Sequence, residues 1–186
     1  SSMGSIGKNF KYKIIKNFLS KDEINLLSIY CEIKHRTNAN SFDLIQSNVG
    51  DTNFYGDPIM DSLMLKKQKL MEKHTGKKLL PTYAFWRCYT RYADLKKHTD
   101  RPSCEISVTV NIKGDGTAWP IFIDGNLLNL EKGDAAIYLG CDVEHWREEF
   151  QGDYQFQTFL HYVDAEGKNK EFVMDKRKYW GTPNVI

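Results

Sequence analysis

The 186-residue chain is 41% hydrophobic and 13% aromatic, enough to bury one substantial core and too short for two ordinary domains, so a single domain over residues 1–186 is expected. Its 26 basic and 24 acidic residues are mixed along the chain and leave a net charge of +2, which offers no basic face for tracking a phosphate backbone and predicts no nucleic-acid partner. No apolar run approaches a membrane span, no charged-then-apolar leader stands out, and Cys31, Cys88, Cys104 and Cys141 stand singly; a cytoplasmic protein with reduced thiols and no membrane partner is expected.

Residues 1–80 read as a helical N-terminal part. Ser20 followed by Asp22 and Glu23 fits a capping box, and Ile24, Leu26, Leu27 and Tyr30 recur at helical spacing, predicting a helix over residues 21–34. A second helix begins near Pro58, carries Met60, Leu63, Met64, Leu70 and Met71 on its apolar side, and stops at Gly76. The Asn-, Ser- and Gly-rich stretch between them, Thr37 to Gly56, is expected to be a loop.

From Pro81 the texture changes to short β-rich runs, YAFWRCYTRY, ISVTVNI, WPIFID, DAAIYL and YQFQTFLHYV, separated by Gly, Asp and Asn. Helices followed by strands, without βαβ alternation or an internal repeat, predict an α+β, mainly β fold. The strands over residues 81–165 should form a sandwich or barrel, a jelly roll first of all, with the helices packed on one outer face and residues 166–186 as a C-terminal tail.

Within this frame His98 and Asp100 stand two apart in LKKHTDRPSCEISVTVNI, at the head of a segment where Ile106, Val108, Val110 and Ile112 alternate with Ser107, Thr109 and Asn111. Alternation marks a half-buried strand, and in extended chain residues two apart point the same way. First-row metals with open positions for oxygen chemistry are held by two histidines and one carboxylate. Five histidines are available; His35 and His74 end helices, where a histidine favours the helix dipole, which leaves His145 and His161. His145, in GCDVEHWREEF just past the apolar run Ala135 to Leu139, sits where a strand emerges at a rim and is the expected third ligand.

The runs YTRYADLKKHTDRPSCEISVTVNI, WPIFID, EKGDAAIYLGCDVEHWREEF and FLHYVDAEG, with FLSKDEINLL and TGKKLLPTYAFWRCY upstream, resemble the non-haem Fe(II)- and 2-oxoglutarate-dependent oxygenases of the prolyl 4-hydroxylase type. The resemblance implies a double-stranded β-helix with Fe(II) held by His98, Asp100 and His145. It implies 2-oxoglutarate chelating the metal, O2 bound beside it, and hydroxylation rather than halogenation, because position 100 carries a carboxylate.

The family also places an Arg or Lys at the start of the last core strand for the distal carboxylate of 2-oxoglutarate. Here DYQFQTFL has no basic residue, and Gln155 lies nearest the expected position; an amide donates hydrogen bonds but pairs no charge. Arg147 and Arg87 are the candidate replacements. Tyr89 matches a family tyrosine that points at the cosubstrate, and His161 a family histidine near it, although both read equally as core residues. Arg101, beside Asp100, is placed to touch substrate or the groups behind the metal.

The function that follows is a dioxygenase, an oxidoreductase, that hydroxylates an unactivated C–H bond. A prolyl or other amino-acid residue in a peptide or protein is the first substrate class, with residues 37–56 as a lid. The alternatives are a small-molecule hydroxylase and a non-catalytic, metal-bearing β-barrel binding protein. The sequence carries no signal of oligomeric state.

Overall fold

The computed structural model describes residues 11–39 and 52–183. In chain order these form β1 (Tyr12–Ile15), α1 (Lys21–Ala39), β2 (Thr52–Tyr55), α2 (Pro58–Thr75), β3 (Leu79–Thr90), β4 (Leu95–His98), β5 (Ile106–Gly114), β6 (Ile121–Ile123), β7 (Asn126–Leu128), β8 (Ala135–Tyr138), β9 (His145–Arg147) and β10 (Tyr154–Asp164). The strands make a six-stranded sheet, ordered β1-β8-β5-β10-β3-β2, and a four-stranded one, ordered β4-β9-β6-β7. Every pairing is antiparallel.

The helix signals are realised in local chemistry. Ser20 and Glu23 close a reciprocal capping box, the Ser20 amide donating to Glu23 Oε1 at 2.8 Å and the Glu23 amide to Ser20 Oγ at 3.1 Å. Asp57 caps α2 by accepting from the Ile59 amide at 2.9 Å, Pro58 fills the first turn, and Gly76 ends the helix in the left-handed region at φ 69°. Asp57 also accepts from Trp86 Nε1 at 2.9 Å and from the Tyr30 hydroxyl, so one buried carboxylate ties α1, α2 and β3 together.

The alternation of β5 separates two buried environments rather than core from solvent. Ile106, Val108, Val110 and Ile112 join a core cluster with Leu27 and Cys31 of α1 and Met60, Met64 and Met71 of α2. Ser107, Thr109 and Asn111 are also buried, on the side of the strand opposite those apolar residues. Ile121, Ile123 and Leu128 of the small sheet pack on Ala136 and Tyr138 of the large one, closing the space between the sheets.

The N-terminal part is not purely helical: β1 and β2 take the two edges of the large sheet. β2 falls inside the stretch expected to be a loop, because TNFY, too short to announce itself, pairs Thr52 with Cys88 and Tyr55 with Phe85. Residues 40–51, which carry most of the expected lid, lie outside the described residues. The C-terminal segment returns to the core: Arg177 pairs with Asp61 at 2.8 Å, both side chains 1% exposed. Among the described residues no helix is long and apolar enough to cross a membrane.

Candidate metal centre and adjoining chamber

β4 and β9 are neighbours in the small sheet, with His98 opposite His145. Asp100 follows as β4 ends, its amide donating to the Gly140 carbonyl at 2.8 Å. One ligand atom from each of His98, Asp100 and His145 lies within 4.8 Å of the others, and Asp100 Oδ1 stands 3.2 Å from both imidazole Nε2 atoms.

The second nitrogen of each ring fixes what the first can do. His98 Nδ1 donates to the Lys96 carbonyl at 2.5 Å and His145 Nδ1 to the Val143 carbonyl at 3.0 Å. A carbonyl only accepts, so in the neutral tautomer each Nε2 presents a lone pair toward the shared carboxylate. Three electron pairs converging on one point require a cation or added protons between them, and this donor set fits a first-row divalent metal. Burial pushes the Asp100 carboxyl up, but the hydrogen bonds that His145 and His98 donate from Nε2 when protonated, in place of a metal, outweigh it and hold the group well below the ordinary carboxylate range.

The centre opens into a chamber of about 230 Å³. Its walls include Tyr83, Phe85, Arg87, Tyr89, Tyr138, Phe159 and His161 beside the three putting their ligand atoms together. Of the residues singled out from sequence, Tyr89, Arg87 and His161 therefore line the same space as the triad. His161 gives its Nδ1 proton to Ser107 Oγ at 2.6 Å, since that hydroxyl itself donates to the Cys104 carbonyl at 3.0 Å. Burial pushes its pKa down to about 4, so the ring is neutral at pH 7.

Arg147 does not line the chamber; it lies 4.7 Å from the Trp119 ring centroid, and Trp119 meets Tyr89, a lining residue, at 4.8 Å. It is 3% exposed, its Nε has no hydrogen-bond partner, and burial lowers its pKa to about 10. Gln155 faces elsewhere, into a separate cavity with Asn111, Gly114 and Trp119. Sequence reading passed over Gln157, two residues on: it is fully buried, gives Nε2 to Thr109 Oγ1 at 3.3 Å, and leaves Oε1 without a partner. The signal was available, for residues 155, 157, 159 and 161 share strand parity. Arg101 turns away from the centre and forms an ion pair with Asp175 at 2.7 Å.

No protein-family model matches the chain, and no curated protein matches its sequence. Solved structures do match in fold. A prolyl-4-hydroxylase from Pseudomonas putida aligns with a TM-score of 0.64 at 15% identity, over 84% of this chain and 94% of that one. The viral collagen prolyl hydroxylase of Paramecium bursaria Chlorella virus-1, in its 2-oxoglutarate complex, gives 0.63 at 12% identity, over 85% and 98%. EctD from S. alaskensis, with 2-oxoglutarate and 5-hydroxyectoine, gives 0.67 at 12%, over 94% and 81%. The two-sheet architecture is thus that of prolyl 4-hydroxylases and other 2-oxoglutarate oxygenases, and the likeness is one of fold.

Proposed function

We propose that the chain is a single-domain Fe(II)- and 2-oxoglutarate-dependent dioxygenase that hydroxylates an unactivated C–H bond. His98, Asp100 and His145 hold the metal in this reading. The observation that carries it is the convergence of two imidazole Nε2 atoms on Asp100 Oδ1, each at 3.2 Å, with both Nδ1 protons already committed to backbone carbonyls. Bound there, iron supplies with O2 and 2-oxoglutarate the two-electron oxidation that places one oxygen atom in the C–H bond and the other in succinate, with release of CO2.

The remaining work falls to the chain. Arg147 is assigned to the distal carboxylate of 2-oxoglutarate, because its buried guanidinium has an unpartnered Nε and no carboxylate among the charges acting on it, and an anion would compensate it. Tyr89, on the chamber wall, meets the Trp119 ring that Arg147 stacks on, and Arg87, also on the wall, is the second candidate cation. Phe85, Phe159 and Leu95 give the chamber an apolar wall that excludes water. A space of about 230 Å³ suits cosubstrate and one side chain, which supports an amino-acid residue of a peptide as substrate, prolyl first by likeness of fold to the prolyl hydroxylases. A small-molecule hydroxylase fits the same dimensions.

One observation favours a second reading, a metal-bearing binding protein without turnover: β10 (YQFQTFLHYVD) carries no lysine or arginine. The deciding experiment supplies anaerobically purified protein with Fe(II), 2-oxoglutarate and O2 and measures succinate. The parent is expected to form it slowly without prime substrate, and His98→Ala to lose it. No succinate, together with no 2-oxoglutarate binding to the metal-loaded parent, would put the binding protein first.

A further inference from the structure

The C-terminal segment holds a second buried carboxylate close to the proposed metal centre. Asp175 is 3% exposed and lies more than seventy positions from the residues it engages. Its Oδ1 accepts from Arg101 Nη1 at 2.7 Å and Ser103 Oγ at 2.5 Å, its Oδ2 accepts from Arg101 Nη2 at 2.8 Å, and the Tyr55 hydroxyl adds a fourth bond. The backbone accepts an unusual path to deliver it: Met174, Asp175 and Lys176 run in succession at φ 57°, 54° and 60°, a region that side chains other than glycine avoid. Arg177, two residues on, anchors the same segment through the buried pair with Asp61 at 2.8 Å and a bond to the Thr82 carbonyl at 2.8 Å.

Two features of the centre depend on what Asp175 grips. Arg101 is the residue after Asp100, and its carbonyl accepts from Cys141 Sγ at 3.4 Å, so the backbone that carries the Asp100 ligand is held on both sides. Tyr83, a wall of the chamber, has the Arg101 guanidinium 4.7 Å from its ring centroid and the Tyr55 ring at 4.7 Å. Both of those neighbours are bonded to Asp175.

We infer that Asp175 is a positioning residue for the metal centre: through the fork to Arg101 and the bond to Tyr55 it sets Asp100 for metal binding and fixes the Tyr83 wall, which makes the C-terminal segment part of the site. The inference rests on the oxygenase reading only in that a metal binds at Asp100. It explains why three consecutive residues outside any strand hold a disfavoured conformation, and why Arg101 directs its charge to Asp175.

The test titrates Co(II), read by its visible absorption, into parent, Asp175→Asn and Asp175→Glu, and records thermal melting of each without metal. Asp175→Asn, which keeps volume but loses the charge that grips the fork, is expected to weaken Co(II) binding at least tenfold and to change the band shape. Asp175→Glu is expected to recover part of the affinity. A lower melting temperature with unchanged Co(II) affinity and spectrum would make Asp175 structural only and overturn the inference. Should Asp175→Asn fail to fold, Arg101→Lys, which breaks the fork from the exposed side, is read by the same two criteria. Absence of Co(II) binding by the parent would refute the metal centre itself, a result distinct from parent and variant binding alike.

Discussion

Arg147 and Trp119 form a closed pair inside the barrel: Arg147 Nη1 donates to the Trp119 carbonyl at 2.8 Å while the guanidinium lies 4.7 Å from the centroid of that residue's ring. The contact orients the charge without neutralising it. Arginine tolerates this better than lysine, because its charge is spread over a plane that stacks on an aromatic face.

Burying an uncompensated charge costs stability, so Arg147→Met should raise the melting point of the ligand-free protein, by the equivalent of about 1 kcal/mol or more. The same change should weaken 2-oxoglutarate binding roughly tenfold to a hundredfold, the range of one or two charge-assisted hydrogen bonds. Calorimetry of the apo protein and an anaerobic Fe(II) and 2-oxoglutarate titration read the two effects separately. Opposite signs support the assignment; full cosubstrate affinity in Arg147→Met with loss in Arg87→Met would transfer the role to Arg87.

Gly140 should resist any side chain. A Cβ there would run into the Cys104 carbonyl oxygen and meet Asp100 Oδ2 at 2.6 Å, and the first of these is backbone that cannot swing aside. Gly140→Ala is expected to destabilise the fold by about 1–3 kcal/mol, the usual cost of overpacking. It should also weaken metal binding, since the displaced group is the carboxylate between the two imidazoles. Denaturant melts and a Co(II) titration check the pair; unchanged metal affinity would mean that the loop yields rather than Asp100.

His161 predicts a pH dependence. Burial lowers its pKa from 6.5 to about 4, so between those values the unfolded chain binds the extra proton and the folded chain does not. Stability contributed by the neutral ring is therefore complete above about pH 6.5, falls as pH drops toward 4, and loses nothing more below that. The shift corresponds to something on the order of 3 kcal/mol. His161→Gln, whose amide can still donate to Ser107, should flatten the difference in unfolding free energy between pH 7 and pH 4 relative to the parent. An identical slope in both proteins would remove His161 as its source.

Much of this was legible where the cause is local. Pro58 and Gly76 bound α2 because φ preferences act within one or two residues, and the capping box at Ser20 and Glu23 spans three. His98 and Asp100 could be paired because residues two apart in extended chain point the same way, and His145 because it follows an apolar run, although it opens β9 rather than closing β8. The short edge strands β1 and β2 were not legible: each has four residues and owes its extended form to a neighbour far along the chain. β7 was hidden in the same way, since Asp124 and Gly125, at φ 51° and 78°, turn the chain straight back onto β6. Arg147 could be named from its place two residues beyond His145, but its missing carboxylate partner was not legible, nor was the place of Asp175, because both depend on which polar atoms lack partners or find them across the fold.

His145 and Arg147 project to the same side of one strand with only Trp146 between them, and two residues of strand advance about 6.7 Å. In the proposed reading, where His145 holds the metal and Arg147 the distal carboxylate of 2-oxoglutarate, the distance between them is measured by covalent chain, not by the packing of two separate elements. Breathing of the barrel moves both ends together. Such a gauge favours a diacid of one length, so that 2-oxo acids one carbon shorter or longer would each engage one end and miss the other.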